Sequence, residues 1–133
     1  MCAARGIQLT VQHEAPTEEG GWRAVTRLPA GPAMPTACGV GSLNQVFGVL
    51  AAFRQSGIGV PGRMSVVSFD EDECLAFLDV PVTSVAMPLA ELGSAAVDAL
   101  IARIEQEPVR NVMIRQPMSL ILRDSVARPS SRP

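Results

Sequence analysis

The sequence predicts an α/β lobe built on a parallel sheet. Short apolar or β-branched runs alternate with segments whose apolar residues recur at helical spacing, and Gly or Pro punctuates the joints. Strands of a parallel sheet need crossover connections of this kind, and helices then cover the sheet's faces. With 133 residues, 47% hydrophobic and 18% charged, the chain has the size and composition of one soluble domain or one lobe of a larger one.

Ile7–Val11 alternates apolar and polar residues, the pattern of a half-buried strand. Thr17 then stands before Glu18 and Glu19, and Trp22, Val25 and Leu28 follow at helical spacing. Thr17 is read as an N-cap, with the acids placed favourably for the helix dipole. Pro29–Pro35 is a loop, because its Pro and Gly residues cannot sustain a ladder. Thr36–Val40 is a short buried strand, and Ser42 caps a helix whose stripe is Leu43, Val46, Phe47, Leu50 and Phe53. Gly57 ends that helix. A Pro61-Gly62 turn leads into the clearest strand, Met64–Phe69, and Asp70 is expected to cap a short helix reaching about Leu78.

Pro81 breaks that region, and Val82–Val85 is strand-like. Pro88 suits the start of a helix, since its missing N–H would be unpaired there. Leu89, Leu92, Ala96, Leu100 and Ile104 carry the helical pattern down to Pro108. Two last strands, Asn111–Ile114 and Met118–Leu122, precede a Pro/Ser tail expected to be disordered over 126–133.

Composition removes whole classes of chemistry. Every basic residue is Arg, so a P-loop lysine and a Schiff base are excluded. His13 is the single histidine, which forbids a two-histidine zinc site within this chain, and no metal is expected. Cys2, Cys38 and Cys74 are odd in number, far apart and without a CxxC pair, the pattern of reduced thiols. The net charge of −2 divides into about +4 from Pro108 onward and about −6 before it. That basic end either touches phosphates or is a solvated terminus; without interleaved aromatics it does not read base sequence. The N-terminus lacks the basic-then-apolar order of a secretory signal, and the expected compartment is the cytoplasm.

Gly39-Val40-Gly41-Ser42-Leu43-Asn44 lies between strand and helix like a GxGxxG fingerprint. Asn44 replaces its third glycine and no acid follows at the required distance, so a tight βα turn is the better reading and no cofactor is expected. Of the four acids Asp70 to Glu73, the last three are read as residues suited to a helix start. Asp70 stands apart because it ends a strand of a parallel sheet, the edge where such sheets hold ligands. A catalytic thiol would need His13 as its base, and nothing places the two together, so no catalytic residue is assigned.

From about Gly20 to Asp124 the order of motifs resembles the C-terminal part of LacI-type transcription regulators. The residues that carry the likeness are Gly57-Ile58-Gly59-Val60-Pro61, Ser65–Glu71, Pro81-Val82-Thr83-Ser84-Val85, Met87-Pro88-Leu89, Leu92-Gly93 and Leu120–Ser125. The resemblance implies a three-layer lobe of the periplasmic-binding-protein-like type I fold, mostly the second lobe, with the first lobe incomplete. It makes 1–125 a partial effector-binding and dimerisation domain, and 88–115 the segment that returns to the missing lobe. It implies a ligand site at Asp70, Ser42, Met87 and Pro16. Asp70 matches the family's hydroxyl-binding carboxylate, whereas Ser42, Met87 and Pro16 stand where Asn, Gln and a stacking aromatic are usual. Phe47, Phe77 and Leu78 fall at the family's dimer interface, and Phe47 reads equally well as core.

The function so implied is ligand sensing without catalysis: binding a small molecule such as a sugar or nucleoside within a homodimer. Operator DNA would be reached only through a headpiece missing from this chain, and no membrane is involved. A periplasmic sugar-binding protein fragment and a small Rossmann-like enzyme are the alternatives. Without the first lobe, the stripe from Leu89 to Ile104 is expected to lack its usual sheet.

Overall fold

The structure, a computed structural model, describes residues 6–106, 113 and 115–129. Four strands, β1 (Ala37–Val40), β2 (Ser65–Ser68), β3 (Thr83–Ala86) and β4 (Ser119–Ile121), form one sheet in that spatial order. The first three run parallel, with Val40 beside Ser68 and Ser68 beside Ser84. The fourth returns antiparallel, Ser84 facing Ile121, a direction the sequence did not reveal. Among the described residues, three α-helices accompany the sheet: α1 (Glu18–Thr26), α2 (Leu43–Gln55) and α3 (Leu89–Ile104).

Helix ends follow their local chemistry. The Thr17 hydroxyl oxygen accepts from Gly20 N at 3.1 Å and opens α1, as expected. Gly57 ends α2 at φ +67°, with Gly57 N donating to Arg54 O and Ile58 N to Phe53 O. That is a Schellman arrangement, and Ile58 packs back on the core beside Phe53.

Helices α1 and α2 cross at glycines. A Cβ on Gly48 would lie 1.8 Å from Glu18 O, and one on Gly21 would lie 2.2 Å from Gln45 O. The α1–α2 pair covers one sheet face, where Val46, Phe53, Met64, Val66, Leu75 and Val82 are fully buried. On the opposite face Ala37, Gly39 and Leu120 are exposed. The described residues therefore supply two of the three expected layers. Helix α3 forms where the spacing predicts, yet none of its residues is buried.

Three local expectations are corrected. Ile7–Val11 is not a strand: Ile7, Leu9 and Val11 are all exposed and have no ladder partner among the described residues. An alternating pattern supplies a face for burial but no neighbour to pair with. The segment after β2 is a short 3₁₀ turn, Glu73–Ala76, and its cap is Asp72, whose carboxylate accepts from Cys74 N at 2.9 Å. The 29–35 loop contains a further 3₁₀ turn, Gly31–Ala33. The strand expected at Asn111–Ile114 lies outside the described residues, save for Met113.

The chain beyond β4 fastens the sheet. Ser125 is fully buried; its hydroxyl donates to Val66 O at 2.6 Å and accepts from Thr83 N at 2.8 Å, at the start of the β2–β3 pairing, where Thr83 lies beside Val67. Ala127 N donates to the Ser65 hydroxyl at 3.1 Å, so the attached chain extends past residue 126.

Candidate functional site

The carboxyl ends of β1, β2 and β3 share one edge, because the three strands are parallel. Phe69 N donates to Val40 O at 2.9 Å, which extends the β1–β2 ladder by one step and places Asp70 just beyond it. The fully buried Ser68 hydroxyl fixes the Asp70 backbone from both sides, donating to its carbonyl at 2.6 Å and accepting from its N–H at 3.1 Å.

Asp70 Oδ2 accepts from Leu43 N at 3.0 Å. Leu43 opens α2, where amides have no partner within the helix and the dipole favours an anion. Asp70 thus caps α2, not the turn that follows it. Ser42 has the extended backbone of an N-cap, but its side chain makes no capping bond. The carboxylate reaches the exposed amide from the neighbouring strand, so the hydroxyl is not needed there. Among the described residues, Asp70 Oδ1 accepts no hydrogen bond, and that oxygen retains its full capacity for a ligand hydroxyl.

The other expected ligand residues gather less tightly. Met87 directly follows β3 and is exposed at the same edge. Pro16 is exposed and belongs to the segment before α1. Gln45 Nε2 donates to Ala15 O at 2.9 Å and to Glu14 O at 3.3 Å, which ties that segment to the first turn of α2. Ser42 and Asp70 therefore meet at one turn, and Pro16 and Met87 stand on its flanks without bonding to it.

The residues expected at a dimer interface lie elsewhere. Phe47 and Leu78 line an open groove with Leu50, Arg54, Ile58 and Val80, and none of the Asp70-edge residues borders it. Phe77 is 85% exposed. Phe47 is half-buried, outside the set of fully packed core residues.

Beside Asp70 the chain builds an ion pair. Arg123 holds both oxygens of Glu71, Nη2 to Oε1 at 2.7 Å and Nη1 to Oε2 at 3.0 Å. The same Nη1 donates to Val82 O at 2.8 Å and to the Ser84 hydroxyl at 2.9 Å, and that hydroxyl donates to Glu71. The side chains are only 14% and 20% exposed. The guanidinium holds the Glu71 carboxyl below the usual carboxylate range, and Glu71 in turn raises the Arg123 pKa. Burial pushes the Cys38 thiol up to about 12, so it is protonated at neutral pH and no ready nucleophile. Among the described residues, no three His, Cys, Asp or Glu side chains converge on a metal position.

The sequence pattern of the family described as "Periplasmic binding protein-like domain" matches residues 2–126. The chain belongs to that family. Among the relatives of this periplasmic binding protein-like chain is the HTH-type transcriptional regulator MalR of Streptomyces coelicolor. It is 35% identical over 117 residues, which take in 88% of this chain and 33% of the relative. The ribose operon repressor of Escherichia coli is 32% identical over 106 residues, 80% of this chain and 32% of the relative. A LacI family transcriptional regulator from Bifidobacterium animalis has the same fold, with a TM-score of 0.88 at 25% identity over 96% of this chain and 47% of that one. The LacI-type resemblance read from the motifs therefore holds, and the α/β fold class with it. The chain spans about a third of the length of these curated relatives, a fragment of their effector domain.

In this periplasmic binding protein-like chain, sequence reasoning misses Glu71 and Arg123. By sequence Glu71 reads, with Asp72 and Glu73, as a helix-start acid; in the fold it is the partner of Arg123, and of these three acids Asp72 alone caps the turn. The available signal is Arg123 within the Leu120–Ser125 motif, a cation two residues beyond a strand. The ion pair has a testable acid signature. The folded-state pKa of Glu71 lies below its ordinary value of about 4.5, so the pair contributes stability above that pH and loses it as pH falls through the folded value. Glu71→Gln is expected to lower the urea midpoint at neutral pH. Its deficit against the unsubstituted chain should shrink steadily below about pH 4 in equilibrium urea melts.

Proposed function

We propose that this chain is the ligand-facing second lobe of the effector domain of a LacI-type transcription regulator, and that Asp70 binds a hydroxyl of the effector. The observation that carries the reading is the Asp70 carboxylate at the carboxyl edge of a parallel sheet, one oxygen held by Leu43 N and the other accepting no hydrogen bond among the described residues. A carboxylate with a spare acceptor suits a hydroxyl-bearing ligand, a sugar or nucleoside, and the relative whose name specifies a ribose operon points to the same class. Ser42 and Met87 complete the polar and apolar sides of that edge, and Pro16 supplies a flat apolar contact. The lobe performs no catalysis: it senses. Ligand binding changes lobe closure only as far as it favours one state over another.

In this reading the protein acts in the cytoplasm as a homodimer, joined through the groove of Phe47 and Leu78 with Phe77 at its margin. Operator DNA is engaged by a headpiece outside this chain. No helix among the described residues is long and apolar enough to cross a membrane.

The test is a thermal-shift screen of pentoses, hexoses and nucleosides on a form extended to the length of its relatives, followed by calorimetry on the hit. Asp70→Ala is expected to weaken binding about 10- to 150-fold, the range for a hydrogen bond to a charged group. Unchanged affinity in that variant would remove Asp70 from the site.

A further inference from the structure

We infer that Glu71 and Arg123 are positioning residues for Asp70, a clamp that keeps its carboxylate on the first amide of α2 and so aims the free oxygen outward. The inference rests on the ligand reading above for the purpose of that free oxygen, and on geometry alone for the clamp itself. Residues 69–72 have no regular secondary structure. A carboxylate on such a segment would ordinarily wander, and its aim must come from fixed neighbours.

Three attachments fix this one. On the chain side, the buried Ser68 hydroxyl grips the backbone of Asp70 at both its N–H and its carbonyl. One residue further on, Glu71 is held at both carboxylate oxygens by Arg123, whose planar fork fixes orientation as well as distance. Arg123 is itself fixed by Val82 O and the Ser84 hydroxyl, and its backbone N–H donates to Thr83 Oγ1 at 3.0 Å. The clamp therefore spans β3 and the chain leaving β4. On the far side Leu43 N–H donates to Oδ2. Remove the Glu71–Arg123 attachment, and among the described residues the segment after Asp70 keeps only the Ser84 hydroxyl on Glu71 and the exposed Asp72 turn.

The ordinary role of such a pair is to strengthen the fold, and the two roles separate at one amide. Leu43 N–H has a carboxylate as its partner, whereas Val46 N–H in the same helix bonds to Ser42 O at 3.2 Å and Phe69 N–H bonds to Val40 O. Leu43 exchange thus reports where Asp70 sits, and Val46 and Phe69 report whether α2 and the ladder remain folded.

The experiment is residue-resolved amide hydrogen exchange on the 133-residue chain without ligand, in Glu71→Gln, Arg123→Met, Asp70→Ala and the charge swap Glu71→Arg/Arg123→Glu. Asp70→Ala sets the rate of an uncapped Leu43. The clamp predicts that Glu71→Gln and Arg123→Met each speed Leu43 exchange about tenfold or more towards that rate, with Val46 and Phe69 unchanged. The swap is expected to restore protection. Leu43 rates that stay at the unsubstituted value in both single variants overturn the clamp, as do rates that rise in equal proportion at Leu43, Val46 and Phe69. If Arg123→Met fails to fold, Glu71→Gln, which keeps the side chain's shape, decides by the same criterion. Since no ligand enters this measurement, its failure leaves the Asp70 calorimetry untouched, and a failure there leaves the clamp untouched.

Discussion

The 133-residue chain is expected to self-associate in solution through α3, with larger species growing as concentration rises in sedimentation velocity. Leu89, Val97, Leu100, Ile101 and Ile104 are each about half exposed or more, and no residue of the helix is buried. Met118, Leu120 and Leu122 add exposed apolar surface around β4. A contiguous apolar stripe of this kind is the usual mark of a surface that seeks a partner. Full burial of a large aliphatic side chain contributes roughly 1.5–3 kcal/mol, and these five are about half to two-thirds exposed, so covering them on both partners gains free energy of the same order as the cost of bringing two chains together. Leu100→Lys with Ile104→Lys is expected to abolish the larger species while leaving the unfolding midpoint in place, because neither side chain packs in the fold. Association that survives this pair but disappears in Phe77→Asp would instead locate the contact at the Phe47 groove. A monomer at all concentrations, unfolding cooperatively, would refute both.

Gly48→Ala is expected to be the most damaging single methyl group in the chain. The added carbon would enter the space of Glu18 O, 1.8 Å away, with Trp22 N at 2.9 Å. Backbone atoms of a capped helix cannot rotate aside as a side chain can, so α1 must lift off α2. Overpacking of a tight core site costs about 1–3 kcal/mol, and a clash with backbone lies at or above the upper end. The helix preference for Ala over Gly returns only about 1 kcal/mol. A loss of about 2 kcal/mol or more should lower the melting temperature by roughly 5–15 °C in calorimetry. Gly93→Ala is the control: it also lies within a helix, meets nothing within 4 Å, and should be neutral or slightly stabilising.

These two glycines show where sequence reading stops. Both read as the same weak helix-former, and only the crossing of two helices gives Gly48 its meaning. Features set by neighbours along the chain were legible: the Thr17 cap, the Gly57 stop, the β1 to α2 turn, and all three helices. Features set across the chain were not. Ile7–Val11 had the alternation of a strand but no neighbour to pair with, and Ile121 carried nothing to say that β4 would run antiparallel. Asp70 was placed at the correct edge by its position after a strand, yet its cap partner is Leu43, 27 residues earlier. Arg123 reaches Glu71 across 52 residues, a distance at which no periodicity operates. Motif order, which encodes tertiary arrangement indirectly, conveyed the family where local propensity conveyed only the elements.

The most direct test of the account is a crystal structure of the extended protein with the small molecule selected by the thermal-shift screen. The molecule is expected to lie against the carboxyl edge of β1 and β2, with one of its hydroxyls within hydrogen-bonding distance of Asp70 Oδ1 while Oδ2 stays on Leu43 N. A ligand seated away from that edge, or an Asp70 carboxylate turned from it, would contradict the account.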